Sequence, residues 1–122
     1  MLDVATINKV DKEGMHAFYD KWAQLAEDSY NQKHDPIDYK DIDHIVFAGM
    51  GGSGAIGDLF SSILSKTNTH VTLVKGYLLP KTVDSKTLVV TVSVSGDTIE
   101  TLTVLDSAKK LDCKLIAFSA VK

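Results

Sequence analysis

Few folds can use the order of residues that runs Ile45-Val46-Phe47-Ala48-Gly49-Met50-Gly51-Gly52-Ser53-Gly54-Ala55-Ile56-Gly57-Asp58-Leu59. An apolar run, a glycine-rich turn and an amphipathic run predict a buried strand that turns directly into a helix. Such a junction leaves the first N–H groups of the helix unpaired, with the positive end of the helix dipole behind them. Glycines remove the side chains that would keep a ligand off that backbone. The turn is therefore suited to an anion, most often a phosphate.

A second junction of the same kind follows at Leu88 to Leu102. Its turn reads Ser93-Val94-Ser95-Gly96-Asp97-Thr98. Three hydroxyls stand around one glycine where a helix begins, and a bend at Ser95-Gly96 brings Ser93 and Ser95 toward one bound group. Thr98 fits the N-cap position, and capping by Asp97 and Thr98 is the competing, purely structural use of the turn.

The rest of the chain places these turns. Residues 1–10 read as a short lead-in. A helix is expected from about Asp11, its possible N-cap, with Met15, Phe18, Trp22 and Leu25 as an apolar stripe that needs a surface to dock on. Residues 31–43 are polar and contain Pro36, which ends that helix; Asp38, Asp41 and Asp43 lack the spacing of a calcium loop and read as solvated linker. Strands are expected at residues 44–48, 71–74, 87–92 and 114–118, with helices at about 53–65 and 98–111. Ile56, Leu59, Phe60, Ile63 and Leu64 form the expected buried side of the first of these helices. The 75–85 loop contains Pro80, and Tyr77, Leu78 and Leu79 are expected to fold back on the core. Nearly continuous apolar strands imply a mostly parallel sheet covered on both faces. The fold class is thus α/β, a parallel sheet of flavodoxin-like order flanked by helices, preceded by an N-terminal amphipathic helix. Residues 1–39 are the helical segment and linker, and 40–122 the main domain. In a sheet of order 2-1-3-4 both glycine-hydroxyl turns border the crevice at the topological switch point, where ligands bind.

Composition narrows the partners. The net charge of −3 speaks against nucleic acid. All 13 basic residues are lysine, so a phosphate must be met by backbone N–H groups, hydroxyls or lysine rather than a guanidinium clamp. No run approaches a membrane span and no signal-peptide pattern opens the chain. With one cysteine, Cys113, the sequence fits a reducing cytoplasm, and Cys113 reads as structural. His16, His34, His44 and His70 lie far apart, so no metal is expected; they read as surface or capping residues.

Gly49, Gly51 and Gly54 also spell G-x-G-x-x-G. The acidic residue that would hold a ribose about 20 positions on is missing, because that neighbourhood reads Val74-Lys75-Gly76. NAD is disfavoured, while Lys75 leaves an NADP-binding Rossmann-type domain as an alternative. Glycines that merely permit close helix–strand packing are the structural alternative.

Taken together, Gly49-Met50-Gly51-Gly52-Ser53-Gly54, Tyr77-Leu78-Leu79-Pro80 and Ser93-Val94-Ser95-Gly96-Asp97-Thr98 with Glu100-Thr101-Leu102 resemble one family. It is the N-terminal sugar isomerase (SIS) domain of the archaeal-type bifunctional phosphoglucose/phosphomannose isomerases. The resemblance covers residues 40–122. It departs at Val94, where the family often has tyrosine, and at Asp97, where it often has asparagine. It implies that Gly52, Ser53, Ser93, Ser95 and Thr98 hold the phosphate of a hexose 6-phosphate. It implies interconversion of glucose or mannose 6-phosphate with fructose 6-phosphate through a cis-enediol, without metal or nucleotide cofactor, and a homodimer. The family has two SIS domains in one chain. The glutamate that moves the proton and the histidine and lysine that help open the ring lie in its later part, and no position here matches them. The expectation is a phosphate-anchoring part without its catalytic base. A non-catalytic sugar-phosphate sensor is the other reading.

Overall fold

The structure is a computed structural model that describes residues 3–120 of the 122. Residues 1–2 of the expected lead-in and 121–122 of the expected main domain lie outside the described residues. The chain divides into two compact units, Met1–Ile37 and Asp38–Lys122.

The first unit holds three helices, α1 (Val4–Val10), α2 (Met15–Asp20) and α3 (Trp22–Asn31). The expected lead-in is thus largely helical. Asp3 caps it, its carboxylate accepting from the Thr6 N–H at 2.7 Å. The helix expected from Asp11 starts instead at Met15, after Gly14 in a left-handed conformation (φ 68°). Asp11 still caps it from outside, accepting from the His16 N–H at 2.8 Å. Lys21 ends α2 and begins α3, so the stripe is carried on two helices. Met15, Phe18, Trp22 and Leu25 all stay exposed.

The second unit alternates strands and helices: β1 (His44–Ala48), α4 (Gly51–Leu64), β2 (His70–Val74), β3 (Thr87–Ser93), α5 (Ile99–Ala108) and β4 (Lys114–Ser119). The four strands form one sheet in the order β2-β1-β3-β4, parallel throughout, as the sequence led us to expect. Val46 stands beside Val89 and Ala48 beside Thr91. These residues share a face with Val104 and Ala108 of α5, and with Leu79 and Val83 of the β2–β3 connection, around the core. Cys113 packs there too, its thiol pushed up from 9.0 mainly by burial. On the other face Phe47, Val90, Val92 and Phe118 line a wholly apolar groove with Ile56 and Phe60 of α4.

Three expectations about burial are corrected. Ile56, Leu59, Phe60 and Ile63 are exposed, and the buried residues of α4 are Gly54 and Gly57. The helix meets the sheet through glycine backbone: a Cβ on Gly57 would lie 2.9 Å from both Phe47 Cβ and Leu73 Cδ2. Of Tyr77, Leu78 and Leu79, Leu79 alone folds onto the core, while Tyr77 and Leu78 are exposed. His44, read as a surface or capping residue, is buried within β1, because hydroxyls on both neighbouring strands satisfy its ring.

Candidate functional site

Two parallel neighbours, β1 and β3, bring the two turns together. Ala48 pairs with Thr91, so the turns that follow leave the same end of adjacent strands. The approach is close. A Cβ on Gly49 would lie 3.0 Å from the Val92 carbonyl oxygen and 3.0 Å from the Ser53 carbonyl carbon. Ser53 and Ser93 therefore belong to one end of the sheet.

The first turn supplies Gly52 and Ser53, both in the opening turn of α4. The N-cap position is Met50, whose side chain offers no cap. Gly51 has φ 54°, a left-handed conformation that a side chain would strain. Nothing lies within 4 Å of where a Cβ on Gly52 would stand. The glycines thus divide. Gly49 and Gly54 serve close packing, since a Cβ on Gly54 would meet the Gly49 carbonyl oxygen at 2.7 Å, whereas Gly52 borders open space.

In the second turn, Ser93 Oγ lies 2.9 Å from Thr98 Oγ1, and Ser95 Oγ lies 3.5 Å from it. The bend at Gly96 (φ 78°) makes this possible, and its N–H donates to Ser93 Oγ at 3.1 Å. Thr98 occupies the N-cap of α5, but its hydroxyl makes no cap bond and turns to the serines instead. Capping therefore does not account for this hydroxyl, and the first N–H groups of α5 keep their outward dipole. Ser93 differs from expectation in one respect: it is the last residue of β3 and is buried. Asp97 is exposed.

The surroundings add groups that the sequence reading did not place. Lys75, at the end of β2, lies against the opening of α4. Its Cε is 3.3 Å from the position of a Gly54 Cβ, and its Nζ pairs with Asp58 Oδ2 at 2.6 Å. The lysine that kept a second cofactor phosphate open already has a counter-charge. Glu100, in the first turn of α5, sits beside Tyr77. Its charge, then their shared hydrogen bond, raises the Tyr77 hydroxyl above its ordinary 10.0. Thr101, one residue on, is buried and its Oγ1 has no hydrogen-bond partner among the described residues. Hydroxyls at Thr98 and Thr101, three apart, were the available signal for it. A cleft of about 640 Å³ lined by residues 72–80 holds none of the serine and threonine hydroxyls of the turns.

Among the described residues no helix is long and apolar enough to cross a membrane. The chemistry available at the paired turns is that of an anion site: hydroxyl donors, exposed backbone N–H groups and two helix dipoles, with no arginine.

Comparison with known proteins gives a consistent picture. The SIS domain family matches residues 38–122. A bifunctional phosphoglucose/phosphomannose isomerase from Caldicellulosiruptor bescii is 43% identical over 81 residues, covering 66% of this chain and 24% of that protein. The protein of the same name from Thermoplasma volcanium is 41% identical over 78 residues, covering 64% and 25%. A D-glucosamine-6-phosphate 4-epimerase from Sulfolobus acidocaldarius is 35% identical over 102 residues, covering 84% and 31%. Among solved structures, a Bacillus subtilis protein assigned as a phosphosugar isomerase superposes with a TM-score of 0.56 at 30% identity, over 66% of this chain and 26% of the other. The chain spans 24% of the first of these relatives and 25% of the second.

Proposed function

The chain belongs to the SIS domain family, and on that premise we propose that residues 38–122 hold the phosphate of a hexose 6-phosphate for an aldose–ketose isomerase. Gly52 and Ser53 approach it from α4, and Ser93, Ser95 and Thr98 from the turn before α5. One observation carries this reading: the Ser93 and Ser95 hydroxyls converge on Thr98 Oγ1, at 2.9 and 3.5 Å, beside a helix opening with room at Gly52. Hydroxyls that bond one another in the absence of ligand can each turn a proton toward an oxyanion. Hydrogen bonds to a charged group contribute about 1.5–3 kcal/mol each. A few of them suffice for a ligand held at micromolar to millimolar concentration, about 4–8 kcal/mol.

The relatives' names support a division of labour. An isomerase of phosphoglucose and phosphomannose and a 4-epimerase of glucosamine 6-phosphate carry out different reactions on phosphorylated sugars. The segment both share with this chain suits what their substrates have in common, the phosphate. Isomerisation needs a base within hydrogen-bond reach of the protons on carbons 1 and 2. We do not assign that role to Glu100, whose place in the first turn of α5 has a structural use at the helix end. We assign no catalytic base to these residues and expect negligible turnover from them alone. The homodimer is part of the same proposal.

Calorimetric titration with fructose 6-phosphate, inorganic phosphate and NADP in turn tests the reading. Heat is expected from both the sugar phosphate and phosphate, competing for one site. Ser95→Ala and Thr98→Val should each weaken both ligands about ten- to a hundredfold. Heat from NADP alone would move the assignment to the dinucleotide reading. Unchanged affinity in Thr98→Val would remove the hydroxyl cluster from the site.

A further inference from the structure

Residues 75–77 link the openings of α4 and α5 on a third side of the paired turns. Val74, the last residue of β2, accepts the Gly49 N–H at 3.1 Å, so Lys75 starts beside the first turn. The Lys75 side chain lies against the opening of α4, with Cε 3.3 Å from the position of a Gly54 Cβ, and its charge is taken up by Asp58. Two residues on, the Tyr77 hydroxyl donates to Glu100 in the first turn of α5. The segment thus runs from one helix opening to the other. It also lines the cleft of about 640 Å³ that residues 72–80 form.

This wall differs chemically from the turns it joins. Tyr77 is half exposed and presents a ring face, and Glu100 beside it is partly buried. Lys75 is committed to Asp58, and Leu73, Leu78, Leu79 and Pro80 make the rest of the cleft largely apolar. A carboxylate only accepts, and one hydroxyl does not fill its roughly four lone-pair sites. It takes further O–H donors and repels a second anion. An aromatic face takes C–H surface. Hydroxyls carried on an uncharged C–H framework satisfy both demands; phosphate satisfies neither.

We propose, on the phosphate-anchoring reading of the two turns, that Tyr77 and Glu100 form a subsite for the sugar part of a sugar phosphate, so that a phosphorylated sugar is preferred to bare phosphate. The Tyr77 ring takes the C–H face of the sugar. Its hydroxyl steadies the Glu100 carboxylate, whose remaining lone pairs accept sugar hydroxyls. Glu100 serves as a hydrogen-bond acceptor and takes no proton from carbon. Its charge, two residues from Thr98, opposes an anion at the turns, and only a ligand that carries hydroxyls offsets that cost. The Tyr77 hydroxyl stays a donor at neutral pH, because the Glu100 charge and then their hydrogen bond hold it above its ordinary 10.0.

Calorimetric titration of the 122-residue chain with fructose 6-phosphate and with inorganic phosphate, in separate runs, tests this. The unaltered chain should bind the sugar phosphate at least about tenfold more tightly than phosphate. Tyr77→Ala should weaken fructose 6-phosphate about tenfold and leave phosphate within about twofold. Glu100→Gln should weaken fructose 6-phosphate about three- to tenfold, while phosphate binds equally or more tightly. Tyr77→Phe, which keeps the ring, should lie between the unaltered chain and Tyr77→Ala. Equal loss of both ligands in Tyr77→Ala and Glu100→Gln would reduce the pair to a brace for α5 and overturn the proposal. Fructose 6-phosphate affinity that neither variant moves would overturn it too. Glu100→Gln exchanges one oxygen for nitrogen, so it carries the test should Tyr77→Ala fold poorly. Absence of heat from both ligands in the unaltered chain would instead overturn the anchoring reading, and the subsite with it.

Discussion

Five glycines between residues 49 and 57 look alike in the sequence and do different work in the fold. Gly54 has a carbonyl oxygen 2.7 Å from where a Cβ would stand, and Gly52 has nothing within 4 Å. Gly54→Ala should therefore cost about 1–3 kcal/mol in urea unfolding. Gly52→Ala should leave unfolding unchanged or slightly improved and weaken phosphate at least tenfold in the calorimetric titration. Equal effects of the two on stability would break this division. The sequence could show the turn but not the division, because the crowding of these glycines depends on how the chain folds: a Gly49 Cβ would meet Ser53 and, from far along the chain, the Val92 carbonyl oxygen. Ser93 makes the same point. The sequence reads it as part of a turn motif, yet it is the buried end of β3 and accepts the Gly96 N–H. Ser93→Ala should cost about 1–3 kcal/mol for the stranded N–H, whereas exposed Ser95→Ala should stay within about 0.5 kcal/mol. Urea midpoints of the two single variants compare them directly.

At the scale of elements, strands were easier to read than helix faces. Runs such as Thr87-Leu88-Val89-Val90-Thr91 are rich in β-branched residues and largely buried, and β1 and β3 begin where the pattern placed them. The period of α4 was equally clear, but its apolar side was taken for its buried side. Periodicity finds an apolar stripe without saying whether the neighbour packs against it or against the backbone. Here the sheet packs against Gly54 and Gly57, and Leu59 and Ile63 are left about 60% exposed. Leu59→Lys should accordingly change unfolding free energy by no more than about 0.5 kcal/mol, where a buried leucine would cost about 2–5 kcal/mol on truncation. A loss in the larger range in urea, at low protein concentration, would mean that this side is covered. The α1 helix escaped notice for a local reason. It is short, buries none of its residues and owes its start to the Asp3 cap, so no stripe announced it.

For the molecule as a whole, the parallel order β2-β1-β3-β4 followed from the alternation of apolar runs, and with it the meeting of two turns at one end of the sheet. The partners of His44 at the other end were invisible, because Thr72 and Thr87 reach its ring only once β2 and β3 flank β1. That difference predicts how the two units respond to acid. His44 is held below its ordinary 6.5, chiefly by burial. As pH drops below 6.5 the unfolded chain takes a proton there before the folded one does, so stability is full above that value and declines as pH falls toward the folded value. This loss belongs to residues 38–122. Asp3 and Asp11 cap helices in residues 1–37, and the hydrogen bonds they accept hold them below 3.8. Their contribution is present above 3.8 and disappears only as pH falls through the still lower folded values. Asp84 follows the same acid course in the second unit, held down first by the Lys86 N–H. Residue-resolved exchange across a pH series should therefore show protection in β1 and β3 declining between neutrality and about pH 5, while the amides of Thr6 and His16 hold until the carboxylates protonate. Simultaneous loss in both units near neutrality would contradict the assignment of the first step to His44.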